Sequence, residues 1–296
     1  MLLQPLHEPA ADRAGVQLLL LRDDLNHPEL PGNKWRKLTY NLREAQRLGH
    51  STLLTFGGAY SNHLAAVAAA GRLTGLQTVG VVRGEELRNQ PLNSTLARAR
   101  QDGMRLHFLD RATYRRKHQP EVLAALLQEL GPAYVLPEGG SNALALPGCA
   151  ELVPELLTLT DFDTLCVACG TGGTLAGLLV GLGGQREALG IAALKGADFL
   201  RTDINALTQQ AAGRVYSNWT LRTDYHGGGY ARLTPELRRF VQAFQQRHGV
   251  LLDPIYTSKM LMGILDLLAR GHFRRGSTVV AIHTGGLQAW AGFGGV

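Results

Sequence analysis

The sequence predicts an α/β protein whose sheets are parallel and covered by helices. Three observations lead there. Short apolar runs of β-forming residues alternate with helix-length segments, the pattern of βα units. The runs at 53–56 and 164–168 are almost continuously apolar, as strands buried on both faces are. Two runs end in glycine-rich turns that lead straight into helical patterns: Phe56-Gly57-Gly58-Ala59-Tyr60-Ser61-Asn62-His63 and Cys169-Gly170-Thr171-Gly172-Gly173-Thr174.

In chain order, 51–56, 77–82, 134–136, 164–168 and 278–282 read as strands. The segments 37–48, 62–74, 120–130, 174–182, 235–248 and 258–269 read as helices. Ser61 is placed to cap the alanine-rich helix that follows it. No internal repeat and no low-complexity linker marks a domain boundary.

The 296 residues suit two modest domains or one large one. With 45% hydrophobic and 18% charged residues the chain reads as globular. Its net charge of +6 comes from arginines and only five lysines, scattered along the chain. No basic block interleaves with aromatics, so the charge reads as solvated surface rather than a nucleic-acid face, and an anionic small molecule also fits.

Cysteines 149, 166 and 169 are odd in number, which argues against a secreted disulfide framework. Cys166 and Cys169 form a C-x-x-C, but inside a run that reads as a buried strand, so no redox or zinc role is expected. The ten histidines show no metal spacing, and no metal is expected. No apolar stretch reaches the roughly 18 residues of a membrane span. Residues 1–13 lack a basic region followed by an apolar run, so the expected location is the cytoplasm.

Five segments carry chemistry. Gly170 to Thr174 sits between a strand and an apolar helix, where free N–H groups and glycine backbone suit a phosphate; a tight turn that binds nothing is the plain alternative. It lacks the Gly-Lys-Ser/Thr of a Walker A loop and the third glycine of a dinucleotide fingerprint. Gly32-Asn33-Lys34-Trp35-Arg36-Lys37 holds two of the scarce lysines. A lysine amine forms an imine with an aldehyde cofactor when burial and neighbouring positive charge favour its neutral form. Arg36 and Lys37 are the candidate neighbours, and an ordinary surface loop is the alternative. The N–H groups of Asn62, His63 and Leu64 at the start of their helix suit a carboxylate, although Ser61 alone explains the segment as a cap. Asp253-Pro254-Ile255-Tyr256-Thr257 and His283-Thr284-Gly285-Gly286 follow apolar runs and put polar side chains past strand ends, where open α/β sheets bind ligands. Tyr256 and His283 also read as plain core residues.

In this order and spacing, from about Leu30 to Gly286, the five motifs resemble the D-cysteine desulfhydrase and 1-aminocyclopropane-1-carboxylate (ACC) deaminase family. The resemblance implies the tryptophan-synthase-β-like architecture called fold type II: two open parallel-sheet α/β domains with pyridoxal 5′-phosphate (PLP) in the cleft between them. The large domain would comprise 1–40 plus 145–296 and the small one 41–144. Lys34 would be the Schiff-base lysine and the acid/base at the substrate Cα. Asn62 would hydrogen-bond the PLP ring hydroxyl, and Ser61, Asn62 and His63 the substrate carboxylate. Gly170, Thr171, Gly172, Gly173 and Thr174, with Lys37, would hold the phosphate. Tyr256 and Tyr230 would be active-site tyrosines. A homodimer acting on a small-molecule amino acid is also implied.

Two positions bear on the substrate. ACC deaminases carry glutamate after Asp-Pro-x-Tyr and leucine in His-x-Gly-Gly; this chain has Thr257 and Thr284, the desulfhydrase pattern. A carboxylate at the pyridine nitrogen strengthens the electron sink for a demanding ring opening, whereas hydrosulfide leaves with less help. The expected reaction is β-elimination from D-cysteine to pyruvate, ammonia and hydrogen sulfide, with ACC deamination as the alternative. The chain departs from the family in its short 85–95 stretch and in Trp35, where ACC deaminases carry a smaller residue. Two other classes stand beside this one. A nucleotide-binding dehydrogenase would need an acid such as Glu187 about 20 positions past the glycines. A non-catalytic PLP carrier would bind the cofactor without turnover.

Overall fold

A computed structural model describes residues 1–296. Ten strands make two sheets: β1 (Leu3–Pro5), β2 (Gln17–Leu21), β3 (Thr52–Gly57), β4 (Gln77–Arg83), β5 (Met104–Leu109), β6 (Tyr134–Leu136), β7 (Thr164–Cys169), β8 (Glu187–Ala192), β9 (Trp219–Arg222) and β10 (Thr278–Ile282). The larger sheet runs β1-β2-β10-β7-β8-β9, the smaller β5-β4-β3-β6. Every pairing is parallel except β1 with β2. This is the fold type II arrangement of two parallel-sheet α/β domains.

Side-chain alternation explains why β7 is apolar throughout. Leu165, Val167 and Cys169 enter a core with Leu175, Leu178 and Leu179 of helix Gly173–Leu182. Cys166 and Ala168 enter the core on the other face, with Phe244 and Ile264 of helices Pro235–His248 and Thr257–Ala269. The two cysteines of the C-x-x-C therefore point to opposite sides of the sheet and cannot share a disulfide or a metal.

Helices Asn62–Thr74, Pro120–Leu130 and Pro235–His248 coincide with the segments predicted. The helix expected from residue 37 begins four residues earlier and runs Asn33–Arg47, so Lys34 lies on a first helical turn and not in a loop. A domain boundary at residue 40 would cut this helix. Leu38, Leu42 and Ala45 belong to the small-domain core with Leu53, Leu64 and Val82. Strands β1, β2, β5, β8 and β9 lie outside the segments predicted. The leucine run of β2 and the alanine- and glycine-containing β8 carry no period that separates strand from helix, and only the neighbouring strands decide them.

In the larger sheet the chain leaves β7 towards β8 and β9, while β10 and β2 lie on β7's other side. The crevice at the carboxyl ends of β7 and β10 is thus a topological switch point, where such sheets bind ligands. Gly170 to Thr174 and His283 to Gly286 emerge there. Glu187 is the first residue of β8, at the opposite end of the sheet, so it cannot serve a ribose in this crevice.

Candidate active site

Lys34 and the glycine–threonine turn line one cavity of about 1060 Å³, together with Ser61, Asn62, His63, Tyr230, Tyr256 and Thr284. Close helix packing brings them together. A Cβ on Gly148 would lie 2.0 Å from the Arg36 carbonyl oxygen, and one on Gly177 would lie 2.4 Å from Cys149 Cβ. Helix Ala145–Ala150 therefore presses against helix Asn33–Arg47 on one side and Gly173–Leu182 on the other. A direct hydrogen bond adds to this: Asn33 Nδ2 donates to Thr174 Oγ1 at 2.9 Å.

The turn after β7 is built to meet an anion. Lys37, fully inside the protein, donates from Nζ to Gly139 O and to Ser141 Oγ, both at 3.0 Å, and Ser141 Oγ lies 2.6 Å from Thr171 Oγ1. A Cβ on Gly173 would sit 2.4 Å from Ser141 Oγ and 3.1 Å from Lys37 Nζ, so only glycine leaves room at this helix start. Unpaired N–H groups, two hydroxyls and an ammonium thus converge on one spot. Ser141 gave no signal in the sequence.

Lys34 is the contrasting lysine. Its amine makes no hydrogen bond or ion pair with the protein and faces the cavity. Burial, and next the charge of Lys37, lower it from the usual lysine range to about 7. Arg36 was expected to share in this and does not. Its guanidinium turns away to Asp23 at 2.9 Å and Glu155 at 2.8 Å. Trp35 also turns away, stacking on His27 with ring centroids 4.5 Å apart, and it does not line the cavity.

At the third motif, Ser61 Oγ accepts the Leu64 N–H at 3.3 Å, the capping bond expected of it. That consumes the Leu64 N–H and leaves those of Asn62 and His63 for a ligand. The Asn62 side-chain carbonyl accepts from Gln288 Nε2 at 2.9 Å, a partner from the C-terminal turn that the sequence did not reveal. The His63 ring is buried with neither nitrogen bonded. Burial, then the charges of Lys34 and Lys37, hold it well below the usual histidine range, so it is a neutral imidazole.

Tyr256 and Tyr230 face each other across the cavity edge, ring centroids 6.2 Å apart. Burial, then the Tyr230 phenol, push Tyr256 well above the usual range and keep it protonated. Its place is set by Asp253, whose buried carboxylate accepts the N–H groups of Ile255, Tyr256 and Thr257 at 2.7–2.9 Å. The Thr257 hydroxyl donates to the same carboxylate at 2.5 Å. Thr257 is fully buried and does not line the cavity; of the two threonines only Thr284 does. The expectation that both face a ligand is corrected accordingly. His283 proves a satisfied core residue: Nε2 lies 2.8 Å from Leu251 O, and Nδ1 accepts the Gly285 N–H at 3.1 Å.

A near-neutral amine and an anion cradle opening into one cavity define a site for a phosphate-bearing carbonyl compound. A profile of the pyridoxal-phosphate dependent enzyme family matches residues 3–285, and the chain belongs to that family. A Pyrococcus horikoshii protein provisionally named 1-aminocyclopropane-1-carboxylate deaminase is 32% identical over 289 residues, 95% of this chain and 87% of its own. A D-cysteine desulfhydrase from Klebsiella pneumoniae is 30% identical over 293 residues, 94% of this chain and 89% of its own. A crystal structure of an ACC deaminase homologue superposes with a TM-score of 0.86 at 30% identity, covering 99% of this chain and 91% of that one.

The residues present fit PLP. The free Lys34 amine suits its aldehyde. The glycine turn, Lys37, Ser141 and Thr171 suit its phosphate, and a side chain at Gly173 would fill that place.

Proposed function

We propose that this enzyme eliminates the β-substituent of a D-amino acid, with D-cysteine as substrate and pyruvate, ammonia and hydrogen sulfide as products. One observation carries the reading. The wall formed by the Asp-Pro-x-Tyr and His-x-Gly-Gly motifs turns a threonine hydroxyl, Thr284, to the cavity. The one carboxylate of those motifs, Asp253, is saturated by three N–H groups and the Thr257 hydroxyl. A hydroxyl at a pyridine nitrogen supports a moderate electron sink, enough for a good leaving group. The named function of the Klebsiella relative agrees with this choice.

When bound, PLP supplies the electron sink for charge developing at the substrate Cα. In this reading Gly170 to Thr174, Lys37 and Ser141 would hold the phosphate, and Asn62, oriented by Gln288, would hydrogen-bond the ring hydroxyl. Lys34 would hold the cofactor's aldehyde carbon. The Lys34 amine, neutral in good part near pH 7, is the group placed to take the proton from the substrate Cα. Ser61 and the N–H groups of Asn62 and His63 bind the substrate carboxylate, and the neutral His63 ring adds no charge there. Tyr256, protonated and facing the cavity, gives its proton to the sulfur as the Cβ–S bond breaks, with Tyr230 beside it. One water per turnover completes release of pyruvate and ammonia. The family resemblance also supports a cytoplasmic homodimer, which sedimentation of the purified protein tests for assembly.

The names of the Pyrococcus relative and the solved homologue favour a second reading, ring opening of ACC. Release of 2-oxo acid from D-cysteine, L-cysteine and ACC separates the two. Turnover of D-cysteine is expected; robust ACC turnover without D-cysteine activity overturns the substrate assignment. Thr284→Leu, which removes the one threonine hydroxyl of that wall facing the cavity, should abolish D-cysteine turnover.

A further inference from the structure

The loop 223–234 carries Tyr230 to the cavity, and its backbone is ill suited to hold it. Gly227, Gly228 and Gly229 all have positive φ, at 57°, 89° and 123°. Ala231, on the other side of Tyr230, is the one non-glycine residue of the chain in that region, with φ 52°. For a non-glycine residue such a conformation is strained and persists only when something outside imposes it. Tyr230 itself is 37% exposed, at the edge of the cavity.

The hydrogen bonds within 226–232 are local. Gly229 N–H donates to His226 O, Arg232 N–H to Gly229 O, and Gly228 N–H to His226 Nδ1. The Tyr230 phenol meets that of Tyr256, and one hydrogen bond reaches the backbone of this stretch from outside, ending on the residue before Tyr230. Lys259 Nζ donates to Gly229 O at 2.7 Å. The same ammonium donates to Ala193 O, just past the end of β8, at 3.3 Å.

Lys259 is 2% exposed and sits in the first turn of helix Thr257–Ala269, the helix that begins directly after Tyr256. A Cβ on Gly227 would lie 3.4 Å from Lys259 Cε, so the loop also packs on the lysine stem. No carboxylate pairs with this ammonium; its two partners are backbone carbonyls. Burial lowers it only to about 8, so it is mostly charged at neutral pH and its hydrogen bonds are of the strong, charge-assisted kind.

We propose that Lys259 is a positioning residue for Tyr230, clamping the glycine loop to the carboxyl end of β8 and so holding the phenol across from Tyr256. One helix then sets both tyrosines: its first residues fix Tyr256 through Asp253, and its third fixes Tyr230 through Gly229. The consequence for catalysis rests on the function proposed above. The mechanical claim does not.

Hydrogen exchange on the purified holoenzyme tests the mechanical claim without any substrate. In Lys259→Met, amides in 226–232 should exchange about tenfold faster or more, with the remaining peptides and the cofactor absorbance unchanged. Turnover of D-cysteine should fall roughly tenfold in kcat/KM. In a Tyr230→Ala background the same change should cost less than about twofold, because an effect exerted through Tyr230 cannot be exerted twice. Unaltered exchange in 226–232, or full multiplication of the two activity losses, overturns the proposal. If Lys259→Met does not fold, Lys259→Gln, which keeps a donor on a shorter stem, decides on the same exchange readout. Faster exchange without D-cysteine activity in the wild type would leave the clamp standing and remove the substrate assignment.

Discussion

Gly32 lies against the backbone of Thr284, so close that a Cβ on Gly32 would be 2.0 Å from the Thr284 carbonyl oxygen. Gly32 has φ 73° and ψ −150°, a region closed to other residues, and its N–H and carbonyl are both held by the Asn26 side chain. This contact seats the first turn bearing Lys34 on the loop that ends β10. Gly32→Ala should therefore cost about 3 kcal/mol or more, from backbone strain plus the clash, and should weaken cofactor retention. Urea unfolding and the imine absorbance of the purified variant check this. A stable, fully yellow Gly32→Ala protein would mean that the contact does not set the site.

Lys37 supplies the cradle's fixed charge. Replacing it by methionine removes the ammonium that reaches Gly139 O and Ser141 Oγ. PLP affinity of the apoenzyme should fall about tenfold to a hundredfold, the worth of one or two charge-assisted hydrogen bonds. Fluorescence titration measures it. Inorganic phosphate should compete with PLP in the wild type and less so in the variant.

The pH dependence of PLP uptake follows from Lys34. Only the neutral amine attacks an aldehyde. Because burial and then Lys37 lower its pKa to about 7, uptake by the apoenzyme should slow about tenfold per pH unit below 7 and level off above it. Removing a neighbouring positive charge raises an amine's pKa, so Lys37→Met should move the inflection upward. A rate that keeps climbing towards pH 10 would indicate an unperturbed lysine.

Much of this site was legible because its chemistry depends on backbone features that sequence records directly. The glycines of 170–173, the cap Ser61 and the crowding of Lys34 with Lys37 all leave local signatures. The rest depended on contacts between distant segments. Arg36 reads as a neighbour of Lys34, but Asp23 and Glu155 claim its guanidinium. Thr257 reads as a ligand, but Asp253 claims its hydroxyl. Ser141, Gln288 and Lys259 act on residues 30 or more positions away and carry no motif. The helix start at Asn33 carries no local signal for the same reason, since Asn33 bonds Thr174 and caps nothing of its own.

The central claim is that Lys34 carries the cofactor, and borohydride reduction of the holoenzyme tests it most directly. Reduced and digested wild-type protein should show the pyridoxyl mass on the peptide containing Lys34, and Lys34→Ala should lose both that adduct and the imine absorbance. An adduct on Lys37 or Lys259, or an imine band that survives unchanged in Lys34→Ala, would contradict the account.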